Sequence, residues 1–312
     1  MSRHRILMTL LLIACSACAS WSDNLGLSWQ AHDVGRPGEP WWIGRLTIQN
    51  SRFPGGKLEV TYPEAYCRSG STNQSWKETV IPQLTRIVHY DATLNELHLL
   101  SEVGPNVIVE HIIRAGDEVI DFRLKFINRG NEPVDLEWAQ TACLRVGEFT
   151  GLSQFDYFNK CFIFTRDGLT MMNSTHRATE GYYTPGQVYA PEGTDLDDVN
   201  PRPISRTVPV NGLIGCFSSD GSAILATAWE PTHELFQGVL NCIHNDPHIG
   251  GLQPGETKHI FGKIYIMAND PERLLDRYEQ DFPQRAFSPG TTATFGSSRT
   301  SLRSASQVTG SW

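Results

Sequence analysis

Beyond Ala14 the chain has no apolar run that approaches the roughly twenty residues a membrane-spanning helix requires. It has no Gly-rich phosphate loop, no Gly-x-Ser-x-Gly elbow and no His-Glu-x-x-His pair, which weakens kinase, nucleotide-dependent and ordinary serine-hydrolase readings. No Cys-x-x-Cys spacing occurs past Cys15 and Cys18, so a zinc ribbon or dithiol redox motif has no support. Positive charge is the minority, with Lys+Arg at 26 against Asp+Glu at 34 and a formal net charge of −8. No basic stripe interleaves with aromatics, and nucleic acid is not an expected partner. Helical periodicity is also scarce, which leaves a chain of 312 residues to fold mainly by strands.

What is present begins at the N-terminus. Arg3, His4 and Arg5 precede an apolar run, Ile6 to Ala14, broken only by Thr9, and small residues follow. That order predicts an export signal over residues 1–19. Leu12-Ile13-Ala14 directly before Cys15 resembles the lipobox of bacterial lipoproteins, which implies lipidation of Cys15 and a membrane anchor. Ala17-Cys18-Ala19 offers the competing cut of an ordinary signal peptidase, which would release a soluble protein from Ser20. A buried N-terminal helix is the third alternative, opposed by the short length and the basic start.

The body, residues 20–285, reads as one all-β domain, a large antiparallel β-sandwich with one C-terminal helix. Ile120, Phe122, Leu124 and Phe126 alternate with Asp121, Arg123 and Lys125, the period-two pattern of a half-buried strand. With Val107 to Ile113 they form the clearest hairpin, turning at Arg114 to Asp117. Further strands are expected at 42–49, 57–62, 87–90, 97–100, 134–140, 162–165, 212–217, 223–229 and 259–267. Short strands at this density, separated by Gly, Pro and Asn turns, indicate a sandwich. The helix follows Asp270 as cap and Pro271 at its first position, with Leu274, Leu275, Tyr278 and Phe282 on one face and Pro283 as the stop. Residues 286–312, rich in Ser, Thr and Gly, read as a disordered tail. Cys67, Cys143, Cys161, Cys216 and Cys242 remain in the body, an odd number. Buried small hydrophobes and one or two disulfides of unreadable pairing both fit them.

The break in the strand rhythm is Thr184 to Pro209, with five prolines and the acids Glu192, Asp195, Asp197 and Asp198. A loop this long within a compact β domain is functional or disordered. Tyr182, Tyr183 and Tyr189 at its entrance favour a loop that covers one open face of the sandwich.

Gly251-Leu252-Gln253-Pro254-Gly255-Glu256-Thr257, followed by Phe261 to Tyr265, resembles the turn and late strand of galactose mutarotase-like carbohydrate-active β-sandwiches. Asp117 to Gln140 is similar to their middle strands, with Asn128 and Pro133 before a Trp-bearing strand. The resemblance spans Leu46 to Phe282 and implies a supersandwich-like fold whose concave face could hold a saccharide. The mutarotases' catalytic His and Glu have no position-by-position match here, so that activity is not carried over.

Three groups carry the side chains of proton-transfer chemistry. In His244-Asn245-Asp246-Pro247-His248, an extended backbone would place His244, Asp246 and His248 on one side, fit for acid–base work, sugar contact or a metal. A polar turn at Asn245-Asp246-Pro247 is the alternative. His176 and Arg177 lie near Tyr182, Tyr183 and Tyr189, where an Arg suits a carboxylate and a Tyr a sugar face or a proton. Trp229-Glu230-Pro231-Thr232-His233 supplies a platform and a base at a strand end, against a plain strand exit. His176, His244, Glu230 and Tyr182 are therefore candidate catalytic residues. Arg177, Tyr183, Tyr189, Trp229, His233 and His248 are candidate binding residues. Tyr62 to Arg68, Trp76, Trp138 and Gln140 could reach the same cavity, although a core role suits Trp138. Asp195, Asp197, Asp198 and Asn200 could ligate calcium, but the glycine and distal Glu of a calcium loop are missing.

The expected function is an exported, lipid-anchored carbohydrate-processing protein that acts as a lyase, hydrolase or epimerase on a saccharide or polysaccharide. The alternative is a non-catalytic saccharide-binding or envelope-structural lipoprotein in the cell envelope. The sequence identifies no cofactor and no metal.

Overall fold

A computed structural model describes residues 25–33, 42–50 and 53–283; the signal segment with Cys15 and the tail 286–312 lie outside the described residues. Eighteen strands are described in chain order. The first nine are β1 (Gly26–Asp33), β2 (Trp42–Gln49), β3 (Lys57–Thr61), β4 (Ala65–Cys67), β5 (Gln83–Asp91), β6 (Glu96–Val103), β7 (Val107–Ala115), β8 (Val119–Asn128) and β9 (Trp138–Gln140). The rest are β10 (Cys143–Arg145), β11 (Cys161–Thr165), β12 (Gly168–Met171), β13 (Gln187–Tyr189), β14 (Ile214–Phe217), β15 (Ala223–Glu230), β16 (Thr232–Gln237), β17 (Cys242–Pro247) and β18 (Thr257–Ala268).

Two large antiparallel sheets make the sandwich. One has seven strands in the order β1-β2-β3-β10-β17-β16-β13, the other nine in the order β12-β11-β14-β15-β18-β8-β7-β6-β5. A two-stranded ribbon, β4 with β9, lies beside them. The core between the sheets draws Leu58, Val60, Leu144, Leu235 and Ile243 from the first, and Val109, Ile120, Phe122, Leu124 and Ile264 from the second. On β8 the buried and less buried positions alternate along the strand, as its sequence predicts.

The helix spans Pro271–Asp281, and the Asp270 side chain accepts from the Arg273 N–H, the N-cap expected from its sequence. Its apolar stripe, Leu274, Tyr278 and then Phe282, covers the outer face of the nine-stranded sheet at Phe162, Phe164, Ile224, Tyr265 and Met267. Burying that stripe fixes the helix there at about 25 cal/mol per Å² of apolar surface removed from water.

Several boundaries differ from expectation. Within 134–140 only β9 is a strand, because the Val134 N–H bonds Leu252 instead of a sheet neighbour. Ala65–Cys67, outside the expected strands, pairs with β9. The segment 184–209 contains the short strand β13; at His244 to Pro247 the extended backbone holds, as strand β17, and the alternative of a polar turn does not. Pro247 is tolerated because it closes the strand, where no further ladder donor is needed.

Candidate functional site

Strand alternation decides which side chains leave the core. On β17 Ile243 points between the sheets, so Cys242, His244 and Asp246 take the opposite face. On β16 Leu235 is internal, and Glu234 and Phe236 share the outer face, directly opposite Asp246 and His244 in register. Cys143 on β10 and Val188 on β13 join them in a small apolar cluster with Val199 and Phe236. The outer face of the seven-stranded sheet therefore carries titratable groups where solvent would be expected, yet they are buried.

The cover is the segment after β13. Ser71 Oγ donates to the carbonyls of Asp198 and Val199, the Asn200 N–H donates to Glu234 Oε1, and Thr194 Oγ1 donates to the His233 carbonyl. These bonds lay residues 194–200 across the sheet, in line with the expected covering loop. The Asp195, Asp197 and Asp198 group does not gather around one point. Asp195 accepts from Asp197 N–H and Asp198 from Gly70 N–H, while Asn200 turns inward to Gln140.

Gln140 is the hub. Its Oε1 accepts from Trp76 Nε1 at 3.0 Å and from Asn200 Nδ2 at 3.4 Å. Its Nε2 then has both hydrogens free to donate, one to Glu64 Oε2 at 2.6 Å and one to His244 Nε2 at 3.1 Å. Because Trp76 is a donor only, it fixes the amide orientation, and the amide fixes the His244 tautomer. His244 Nε2 is unprotonated, and Nδ1–H donates to Asp246 Oδ1 at 2.7 Å. Burial lowers the His244 pKa to about 3 and keeps the ring neutral at ordinary pH. Burial, followed by the negative charges of Glu234 and Glu64, raises the Asp246 carboxyl well above the usual range.

A column of rings flanks this network. Phe236 stacks on His244 with centroids 4.2 Å apart, and the Arg202 guanidinium lies 5.5 Å from the Phe236 ring and 4.0 Å from that of Tyr183. On the other side His233 stacks between Trp138 at 6.3 Å and His248 at 5.5 Å. For His233 burial opposes the charged form, but the 3.0 Å bond to Glu234 and its charge outweigh it and raise the pKa. His248 bonds Glu137 at 2.8 Å and holds that carboxyl below its ordinary value.

Among the described residues seven buried side-chain polar atoms have no hydrogen-bond partner, and three of them, Asp246 Oδ2, Asn200 Oδ1 and Arg202 Nε, lie around this cluster. Orphaned buried groups cost roughly 1–3 kcal/mol each.

Of the residues singled out in the sequence, His244, His233, His248 and Tyr183 fall on this face, with Glu64, Trp76, Trp138 and Gln140 beside them. The others do not. Trp229 is fully buried in the central core against Tyr62 and Phe122, so it offers no platform. Tyr189 points inward and bonds Thr175. Glu230 ends a strand of the other sheet and accepts from Tyr278 Oη of the C-terminal helix at 2.7 Å. His176 holds the 205–207 turn through Ser205, Arg206 and Thr207. Arg177 binds Gln237 and the Pro185 carbonyl and lies over Phe158. Tyr182 is half exposed beside Tyr183. His176, His244 and Glu230 are thus held by three separate sets of partners. Glu234, Arg202 and Cys143 escaped sequence reading; the one available signal was the His-Glu pair at 233–234 ahead of a second His at 244.

No family model matches the chain, and no curated protein matches it. Similar solved structures include a galactose mutarotase related enzyme from Lactobacillus acidophilus, at 8% identity and a TM-score of 0.40 over 77% of this chain and 98% of that one. A galactose 1-epimerase from the same organism is 8% identical, with a TM-score of 0.34 over 78% and 100%. A polysaccharide lyase is 10% identical, with a TM-score of 0.38 over 82% of this chain and 35% of its own. The chain is weakly similar to galactose mutarotase-like sandwiches, and its function has to be argued from its own residues.

Proposed function

We propose that the protein binds a saccharide or polysaccharide on the outer face of its seven-stranded sheet and performs acid–base chemistry on it, of lyase, hydrolase or epimerase type. The observation that carries this reading is the Glu64–Gln140–His244–Asp246 chain, in which a carboxylate and an imidazole face one amide. Glu64 and His244 Nε2 both accept from the amide, and a sugar hydroxyl has one hydrogen to donate, so two neighbouring hydroxyls of a saccharide could take its place, one donating to each. Glu64 and Trp76 are half-buried while His244 is fully buried, which sets an approach from the Trp76 side. Trp76 would stack on the sugar, and Glu64 and His244 would exchange protons with its hydroxyl or ring carbon. The proposal includes export and anchoring through Cys15, which rest on the Leu12-Ile13-Ala14-Cys15 motif.

A screen of the purified domain against a glycan panel, with product detection, tests this. Turnover of at least one glycan is expected; no binding and no turnover on any would overturn it. The non-catalytic alternative is favoured by one observation, that Gln140 already satisfies both Glu64 and His244. It predicts binding without products, with affinity lost on truncation of Trp76.

A further inference from the structure

Glu64, Cys143 and His244 come from three separate stretches of chain, and one ligand-type atom of each lies within 4.8 Å of the other two. The geometry points to a transition-metal site of the zinc class, with Glu64 oxygen, Cys143 Sγ and His244 Nε2 as its three protein ligands. This inference goes beyond the saccharide reading and stands independently of it.

Three observations support it. First, the donor set mixes a carboxylate, a cysteine sulfur that would lose its proton to the bound metal, and an imidazole, which suits zinc or cobalt and disfavours calcium or magnesium. Second, His244 presents its unprotonated Nε2 to the trio, while Nδ1–H is held by Asp246 at 2.7 Å. A carboxylate behind a histidine is the usual support of a metal-bound imidazole, because it fixes the tautomer and raises the basicity of the ligating nitrogen. Third, an electropositive group already sits between two of the three ligands, since the Gln140 amide donates to both Glu64 and His244. A cation would answer the same two lone pairs with more charge.

Tetrahedral coordination at ordinary zinc bond lengths places such ligand atoms about 3.4–3.6 Å apart. The trio must therefore draw in by roughly 1 Å as Gln140 swings aside. The fourth position would open toward Trp76, the half-buried side of the cluster. The ion and proton transfer compete for the same lone pairs on Glu64 and His244, so a loaded protein is expected to lose acid–base turnover while keeping its fold.

The test uses the full chain, stripped with a chelator and titrated with Co²⁺ and then Zn²⁺. One equivalent of Co²⁺ should bring up a thiolate-to-cobalt charge-transfer band that Zn²⁺ displaces. The band should vanish in Cys143→Ser and persist in Cys161→Ser, whose thiol lies in the other sheet opposite Cys216. Asp246→Asn should bind about 10- to 100-fold more weakly. If Cys143→Ser does not fold, Glu64→Ala replaces it, with an expected loss of about tenfold or more in Zn²⁺ affinity. Absence of the band in the wild type, its survival in Cys143→Ser, or unchanged affinity in Glu64→Ala would overturn the site. None of these readouts involves a saccharide, so they fail or succeed separately from the proposed activity.

Discussion

His111 shows how a single polar side chain can be built into an otherwise apolar core. Its Nδ1 meets Tyr62 Oη at 2.8 Å, and its Nε2 meets Ser101 Oγ at 2.9 Å and Tyr66 Oη at 3.2 Å. All four residues are buried, and burial lowers the His111 pKa to about 3, against 6.5 in the unfolded chain. The native state therefore binds fewer protons than the unfolded state between those values. Stability from this group is complete above pH 6.5 and is lost as pH falls toward 3, by up to about 1.4 kcal/mol per pH unit. Urea unfolding of wild type and His111→Phe across that range should show a shallower acid slope in the variant. At neutral pH the variant should be weaker by roughly 1–3 kcal/mol, because Tyr62 and Ser101 lose a partner. Equal slopes would mean that His111 titrates normally in the folded protein. None of this was visible in the sequence, where His111 is one His among β-branched residues and its partners lie 10 to 49 positions away.

At the scale of elements, legibility followed solvent exposure. β2, β7, β8, β15, β18 and the C-terminal helix stood out because one face meets solvent or a different layer, so the hydrophobic period survives, or because caps and turns frame the run. β16 was missed, and β17 was left open between an extended segment and a turn, for the opposite reason. Every position of β17 is buried, but its outer face is buried under residues 194–200 with polar side chains, so Cys-Ile-His-Asn-Asp-Pro carries no strand-like contrast. The candidate site was legible in the same proportion. His233, His244 and His248 were picked out by residue type, but their partners Glu64, Gln140 and Arg202 are joined to them only by sheet pairing and the covering loop. Trp229 was misplaced because Glu230 and Pro231 beside it suggest a loop exit, whereas its ring is pinned in the core against Gly262 of β18. A Cβ on Gly262 would stand 2.4 Å from that ring. Gly262→Ala should therefore destabilise the protein by about 1–3 kcal/mol in urea unfolding through overpacking. A neutral result would show that the Trp229 ring has room to move.

For the whole molecule, the two sheets and the helix divide the labour. The nine-stranded sheet is covered outside by the helix and supplies core, and the seven-stranded sheet has the polar cluster on its outer face. The anchor belongs to this scale too. Cys15→Ser should abolish labelling by a fatty-acid probe and move the protein to the soluble fraction. Continued labelling, or a mature N-terminus at Ser20, would contradict the lipoprotein proposal.

The central claim is that chemistry resides at Glu64 and His244 on the outer face of the seven-stranded sheet, not near His176 and Tyr182 at the loop entrance. The most direct measurement is turnover of the best glycan from the panel by two variants, Glu64→Gln and the double variant His176→Ala with Tyr182→Phe, each checked for native fold. The account predicts a loss of roughly 100- to 10,000-fold for Glu64→Gln with saccharide affinity little changed, and near wild-type turnover for the double variant. Full turnover in Glu64→Gln together with collapse in the double variant would contradict it.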